Sequence, residues 1–274
     1  MAITESTLLA GCRPKYTINK ASVTTEGAGT WHSLWAVAGY PIAGGTPPAF
    51  NTSGYIPTRA TSGSFGQVNA AGGNELLMVA LDASATVSGQ LTIYDRIWAC
   101  SGFSTNGGTG AQNITNFVAL TTGRLRDGVS DYGDIEPWIE VYTAPGATAA
   151  TWTVVGTDGG GTSRSYTYAH PANAETIGQM APLVPPAAAV PGIQTLTSFA
   201  TSANTGTAGS IGITLMRRLA TLDLALINTG QFRGALDLAL SEVKTDACLA
   251  MMIQCTAATS GVIMGGLGLS EVTP

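Results

Sequence analysis

Short apolar runs separated by turn residues are the feature that most constrains the fold of this chain. From Asn74 to the C-terminus, runs rich in β-branched and aromatic residues recur at spacings of roughly 8–20 residues, and Gly, Asn, Asp and Ser lie between them. This pattern is typical of a β-sandwich or a barrel. The segments that it predicts as strands are 75–83, 89–103, 113–120, 137–144, 150–157, 163–170, 195–202, 210–216, 219–227, 234–243, 247–255 and 261–272.

Three of these segments carry more detail. Residues 153–167, TVVGTDGGGTSRSYT, predict a hairpin whose tip is the Gly-rich stretch 158–161. In PWIEVYT, residues 137–143, apolar and polar residues alternate, which predicts a half-buried strand with Glu140 and Tyr142 on one face. The leucines of 215–226 also fit a helical spacing, but their alternation after residue 221 and the neighbouring strands favour a strand.

The first 73 residues have a different character. Pro and Gly are too frequent there for a long helix or a central strand, yet the aromatic residues Tyr40, Phe50, Tyr55 and Phe65 are too many for a solvated linker. We predict an extended N-terminal arm, residues 1–73, that lies on another surface. Residues 74–274 would form a β-sandwich of jelly-roll type, with a possible break into two packed β subdomains near 185–192.

The composition limits the partners of the chain. Charged residues make up 11% of the 274 residues, whereas about 25% is usual. A hydrophobic content of 45% argues against disorder, and no window holds 18 consecutive apolar residues. The net charge is −5, and Arg217-Arg218 is the only adjacent basic pair. These features exclude nucleic acid and anionic membranes as expected partners, and they predict a surface covered by other protein chains.

Catalytic and metal-binding patterns are missing from the sequence. His32 and His170 are the only histidines, and a zinc site needs three or four ligands. A Ser-His-Asp triad is defined by geometry, so spacing leaves that chemistry open, but no G-x-S-x-G elbow accompanies either histidine. The Gly-rich stretch 156–163 lacks the lysine of a phosphate-binding loop. We expect no enzyme activity, no catalytic or cofactor-binding residues, no metal and no cofactor.

The densest acidic stretch is 127–136, which holds Asp127, Asp131, Asp134 and Glu136. Paired carboxylates can run glycoside hydrolysis, and clustered oxygens can hold calcium. The spacing does not match an EF-hand loop, so we interpret the stretch as a solvated loop that leads into the strand at Trp138. Whether it binds an ion stays open.

The cysteines and tryptophans allow two interpretations each. Cys12, Cys100, Cys248 and Cys255 show no C-x-x-C spacing, and we expect them to be buried or half-buried thiols of a chain made in a reducing cytoplasm. Leu-Ala-Gly-Cys, residues 9–12, matches a bacterial lipobox, but no basic n-region precedes it. The five tryptophans either pack in the core and interfaces or form a platform for sugars.

Residues 91–104, 151–167 and 206–272 resemble a loosely defined family of virion structural proteins of tailed bacteriophages. The resemblance spans roughly residues 75–272 and rests on Tyr94-Asp95-Arg96, the hairpin residues 161–163, Thr207-Ala208-Gly209 and Thr245-Asp246-Ala247-Cys248. None of these is an active-site motif. Arg217-Arg218 stands where the family pattern has Arg-Pro, so the resemblance does not determine the local turn.

The resemblance implies a place in a phage particle, on or in the capsid shell, after assembly in the host cytoplasm. With the low charge and the β-rich body, it predicts a protein that decorates or cements the shell and binds the major capsid protein and copies of itself, as a trimer at local threefold axes. Three alternatives stay open: the major capsid subunit itself, a tail, neck or fibre component, and a host-glycan-binding module.

Overall fold

The computed structural model describes residues 3–23, 26–51, 54–173 and 175–274. The chain is nearly all β and contains several antiparallel sheets, consistent with a β-sandwich. The fold class predicted from the alternating apolar runs is therefore confirmed. Within the described residues, no helix has the length and apolar character needed to cross a membrane.

The elements follow one another along the chain as one short helix and fifteen strands in the described ranges, with a 3-10 turn at Thr122–Arg124. They are α1 (Glu5–Ala10), β1 (Tyr16–Lys20), β2 (Trp31–Ser33), β3 (Gly39–Tyr40), β4 (Glu75–Ala85), β5 (Gly89–Ser104), β6 (Gln112–Asn113), β7 (Ile135–Thr143), β8 (Ala150–Asp158), β9 (Ser163–His170), β10 (Gln179–Pro182), β11 (Ile193–Thr201), β12 (Ser210–Leu224), β13 (Gln231–Gly234), β14 (Leu249–Cys255) and β15 (Ile263–Val272).

The chain forms two compact units. Unit 1 comprises residues 1–45, 58–95 and 218–274, and unit 2 comprises residues 46–57 and 96–217. Strands β5 and β12 are long enough to begin in one unit and end in the other.

Unit 1 is built on a five-stranded antiparallel sheet in the order β13-β4-β15-β1-β3. Alternate residues of these strands point to opposite faces, and one face is buried. Ile18, Leu81 and Leu267 lie on that buried face and are no more than 1% exposed. Strand β14 pairs with β2 and with the first half of β5, and its apolar side chains join the same core.

Unit 2 contains the antiparallel sheet β6-β11-β8-β9 and the strands β10, β7 and β12, which pair in that order. Its separate core contains Trp98, Trp152 and Phe199, each fully buried. The predicted hairpin is confirmed: Thr157 of β8 pairs with Ser163 of β9 around the Gly-rich tip. Residues 215–224 are also strand as predicted, because 210–224 form the single strand β12, which ends before Ala225 and Leu226.

Two predicted strands are wrong. Within the segment 113–120 only Asn113 is strand, as the second residue of β6, and Phe117 packs its ring against Trp98 at a centroid distance of 4.9 Å. In 234–243, strand β13 ends at Gly234, since Ala239 and Leu240 have φ values of 50° and 49° that turn the chain. The strand at 135–143 is buried on both faces, not on one.

Residues 1–73 are placed differently from the predicted arm. Strand β1 hydrogen-bonds to β15 inside the sheet of unit 1, and Ile18, Trp35 and Phe65 are at most 2% exposed. Residues 46–57 pack on unit 2 instead, with Phe50 stacked on Phe103 at 4.4 Å. Strand partners lie far apart in the sequence, so the division into units follows neither the 73/74 boundary nor a break near 185–192.

Candidate functional site

Two of the segments that carry the sequence resemblance meet in unit 1. The backbone N–H of Cys248 donates to Oδ1 of Asp95 at 2.8 Å, and both residues are fully buried. Asp246, just before, has a φ of 59°, which turns the chain into β14. The motif residues therefore fix how β14 begins beside β5, which is a structural role.

A buried charge cluster occupies unit 2. Nη2 of Arg96, on β5, lies 2.6 Å from Oε2 of Glu140, on β7, and it also donates to the hydroxyls of Tyr142 (3.1 Å) and Thr214 (3.0 Å). Arg96 and Glu140 are 2% and 3% exposed at their side chains. Burial lowers the pKa of Arg96, but the electrostatic interaction with Glu140, and then that with Tyr142, outweighs burial and the net pKa is raised. The arginine stays charged, and the cluster joins β5, β7 and β12.

A second buried arginine, Arg124, contacts the end of the segment 46–57. Nη1 of Arg124 donates to the carbonyl of Pro57 at 2.5 Å, and Nη2 donates to the carbonyl of Arg96 at 2.8 Å. Arg217 in turn donates to the carbonyl of Arg124 at 2.9 Å. Both arginines are buried, so these guanidinium groups bind backbone carbonyls and are not presented to an anionic ligand. Arg217 and Arg218 lie inside β12, not in a turn.

His170 belongs to a buried cluster at the end of β9. Its Nδ1 lies 3.1 Å from Oε2 of Glu175, its Nε2 lies 3.0 Å from the carbonyl of Gly146, and its ring stacks on Trp152 at 4.6 Å. Tyr168 donates to the other oxygen of Glu175 at 2.6 Å. His170 and Glu175 are 2% and 3% exposed. A histidine–carboxylate pair is common in catalysis, but this one has no access for a substrate.

His32 is equally enclosed, in unit 1. Its Nε2 accepts a hydrogen bond from the backbone N–H of Gly27 at 3.0 Å, which places the ring proton on Nδ1. Burial lowers the pKa of His32 to about 4, so the ring is neutral at physiological pH. The two histidines lie in different units.

The acidic stretch 127–136 binds its own backbone. Oδ1 of Asp127 accepts from the N–H groups of Val129, Ser130 and Asp131, each at 2.8 Å, and these bonds lower the pKa of Asp127 to about 2. Asp131 pairs with Arg126 at 2.6 Å, and burial raises the pKa of Asp134. The carboxylates are thus used separately. Across the described ranges, no three or more His, Cys, Asp or Glu side chains are grouped as metal ligands.

Asp158 lies at the hairpin tip, which the sequence predicts as a Gly-rich turn, and its carboxylate is buried. It accepts from the N–H groups of Gly160, Thr162 and Val190 and from Nε of Arg164, at 2.9–3.1 Å. The bond from Thr162, with the others, lowers its pKa to about 2. The Asp-Gly-Gly-Gly sequence was the signal, because an aspartate before glycines commonly caps a turn.

The exposure of the tryptophans and cysteines can be compared with the interpretations made from the sequence. Trp35, Trp98, Trp138 and Trp152 are at most 3% exposed, so they cannot form a sugar-stacking platform. Cys100, Cys248 and Cys255 are buried free thiols as predicted. Cys12 is exposed, which corrects the prediction of a buried or half-buried side chain, because it follows the exposed helix α1.

An exposed apolar segment lies at one edge of the unit 1 sheet. Strand β13 is the terminal strand of that sheet and pairs with β4. The residues that flank or form it are highly exposed: Leu226 (60%), Ile227 (57%), Phe232 (66%) and Leu236 (91%). We call residues 226–236 the apolar edge segment. The sequence pattern does not reveal this exposure, because it predicts strands at 219–227 and 234–243 without indicating which of their side chains water reaches.

No protein-family model matches the sequence, and no curated protein matches it. Among solved structures, the chain is similar to one titled "Structure of infectious bursal disease virus Gt strain", with 9% identity, coverage of 95% of this chain and 81% of that one, and a TM-score of 0.20. The crystal structure of the VP2 subviral particle of infectious bursal disease virus gives 10% identity, the same coverage and a TM-score of 0.21. Likeness at this level determines neither the fold nor the function of this chain.

Proposed function

We propose that the chain is a structural protein of a virus particle, and more specifically that it decorates or cements the capsid shell of a tailed bacteriophage. Its partners would be the major capsid protein and copies of itself, as a trimer. The apolar edge segment is the observation that carries this proposal, since exposed large apolar side chains clustered at a free sheet edge are typical of a protein interface.

The scarcity of charge supports an apolar mode of attachment. The sequence has 12 Lys and Arg in 274 residues, and several of the arginines are buried, such as Arg96, Arg124 and Arg217. Exposed ion pairs contribute only about 0–1 kcal/mol each. Burial of one large apolar side chain contributes about 1.5–3 kcal/mol, so burial of the apolar edge segment can contribute more to the free energy of attachment than exposed ion pairs can.

The other candidate roles are less well supported. A glycan-binding role based on the tryptophans loses its basis because four of the five are buried. The buried His170–Glu175 pair offers no accessible chemistry, so a structural role agrees better with the site than an enzymatic one. The shell-subunit and tail-component roles share the apolar surface, and location in the particle separates them from decoration.

The proposal is tested with purified particles that carry the Phe232→Ser, Leu236→Ser variant. Two lost apolar contacts of about 1.5–3 kcal/mol each weaken binding by more than about 100-fold, so the variant should be missing from particles. A matched control, Val129→Ser with Ile177→Ser, removes two apolar side chains of similar exposure (68% and 59%) in unit 2 and should be incorporated normally.

Two further measurements test the proposal: retention of the protein on particles in high salt, and its location in the particle. Wild-type protein should stay on particles in 1 M salt, where surface charges are screened within about 3 Å. Electron microscopy should place it on the outer shell, and particles that lack it should rupture at a lower temperature. Release in high salt, full incorporation of the edge variant, or density in the tail would each contradict the decoration role.

A further inference from the structure

The carboxyl group of Glu26 lies inside unit 1, between two loops. Glu26 is 3% exposed, and neither of its carboxyl oxygens accepts a well-aligned hydrogen bond from a residue that the structure describes. The groups that face it are the thiol of Cys255, at the end of β14, and the hydroxyl of Ser260, in the loop after β14. A buried carboxylate without good donors is costly, so the protonation state of this group matters.

The hydroxyl of Ser260 is already committed as a donor. It donates its one proton to the carbonyl of Gly261 at 3.1 Å, and its oxygen accepts from the N–H of Val23 at 3.1 Å. While its proton lies on the Gly261 carbonyl, it is not available to Glu26, so donation to an ionised Glu26 requires the hydroxyl to break that contact, whereas one lone pair stays free. A protonated Glu26 carboxyl can donate to that lone pair, whereas an ionised one cannot.

Within the described part of the chain, no cationic side chain is among the groups that set the pKa of Glu26. Burial keeps the nearby His32 ring neutral at physiological pH, with its pKa at about 4, and its Nε2 is occupied by the N–H of Gly27. Burial also raises the pKa of the Cys255 thiol to about 12, so that group stays protonated. Burial raises the pKa of Glu26 itself to about 6, and the contacts with Ser260 and Cys255 oppose this only in part.

The two loops around Glu26 are held together by a small set of polar contacts. Val23 and Ser260 are joined through both backbone and hydroxyl groups, and the hydroxyls of Ser22 and Thr259 lie 2.9 Å apart. The N–H of Gly29 donates to the carbonyl of Cys255 at 2.7 Å. Gly29 and Cys255 also line an open cleft of about 480 Å³, so solvent lies close to this contact.

We propose that Glu26 is a proton-operated latch: its protonated carboxyl holds the loop 26–30 against residues 255–261, and its ionisation loosens that contact. The sign follows from linkage. The pKa of Glu26 is about 6 in the closed loop, whereas the ordinary value of 4.5 applies when the loop is open, so the closed loop binds the proton more tightly. The stabilisation of the closed form is therefore fully present below pH 4.5 and is lost as pH rises through about 6. A difference of about 1.5 pKa units corresponds to a change of roughly 30-fold in the opening equilibrium.

Hydrogen exchange measured by mass spectrometry at pH 5 and pH 8, corrected for intrinsic rates, tests the latch. From pH 5 to pH 8, wild-type peptides that cover 26–30 and 255–261 should lose protection by roughly 8-fold, because part of the total change has already occurred at pH 5. Glu26→Gln keeps the shape of the neutral carboxyl, so in this variant the same peptides should be protected from exchange at both values of pH. Cys255→Ser offers a stronger donor to the ionised carboxyl, so it should reduce the difference in protection between pH 5 and pH 8. Glu5→Gln, at an exposed position in α1, should behave like wild type.

Equal pH dependence in wild type and in Glu26→Gln would overturn the proposal. If the Glu26→Gln variant does not fold, the carboxyl carbon of Glu26 can be titrated by NMR in the wild-type chain. Titration near pH 6 supports the latch, and titration at or below pH 4.5 overturns it.

Discussion

Arg96 and Glu140 form an ion pair of 2.6 Å in unit 2, although they lie on strands that are separated by β12 in the sheet order. Thr214 of β12 and Tyr142 also hydrogen-bond to the pair. Both charges are removed from water, so each depends on the other. Loss of one member of this pair should therefore lower the free energy of unfolding more than loss of one member of an exposed ion pair.

Removing one member of this pair should be strongly destabilising. Glu140→Leu leaves Arg96 buried without its counter-charge, and we expect a loss of about 3–5 kcal/mol in the free energy of unfolding, measured in denaturant. Arg96→Met combined with Glu140→Leu should cost much less than either single change. For the exposed pair Arg233–Asp223, Arg233→Met should cost at most about 1 kcal/mol. Equal losses at both pairs would show that burial of Arg96 and Glu140 carries no cost.

Asp158 should give the hairpin an acid-sensitive component of stability. Its pKa is held at about 2, below the usual 3.8, mainly by the N–H of Thr162 and then by Arg164 and the other N–H donors. A carboxylate with a depressed pKa contributes its full stability above pH 3.8 and loses it as pH falls to about 2.

The check is the melting temperature of wild type and Asp158→Asn between pH 2 and pH 5. The wild-type curve should fall more steeply toward pH 2, because the variant has no carboxylate to protonate. Protease cleavage near Val190, whose N–H donates to Asp158, should also increase in the variant. Parallel pH curves would exclude this role for Asp158.

Cys12 should be the first thiol to react in the folded protein. It is exposed, whereas Cys100, Cys248 and Cys255 are buried, and burial raises the pKa of Cys100 and Cys255 to about 12. A maleimide reagent should therefore label one thiol rapidly in native buffer and all four in denaturant. Cys12→Ser should abolish the rapid phase. Rapid labelling of two or more thiols in the native protein would contradict the burial of the other three.

The acidic stretch should not need a metal ion. Asp131 is paired with Arg126, and Asp127 is occupied by three backbone N–H groups. We expect Asp131→Asn with Asp134→Asn to leave particle assembly intact, and calcium or a chelator to leave the melting temperature of the wild type unchanged. A stabilisation by calcium that the double variant loses would instead reveal an ion site in this loop.

Runs rich in β-branched and aromatic residues, bounded by turn residues, determined the positions of several strands. Segments 75–83, 89–103 and 163–170 are strands at nearly the predicted positions, because such side chains pack well on a pleated sheet and Gly, Asn, Asp and Ser end the strands. The placement of Glu140 and Tyr142 on one face was also predictable, and in the structure their side chains hydrogen-bond at 2.7 Å.

The tertiary structure alone decided which of these faces are buried and what the polar residues contact. Arg96 and Thr214 are 118 residues apart, Asp95 and Cys248 are 153 apart, and strand β1 finds its partner β15 at the opposite end of the chain. Local patterns contain no information about such pairs, because strand pairing is set by the packing of distant segments. The same reason explains the exposed Leu236 and the buried Glu26: a side chain's periodicity gives its direction, but only the neighbouring chain segments determine whether water lies there.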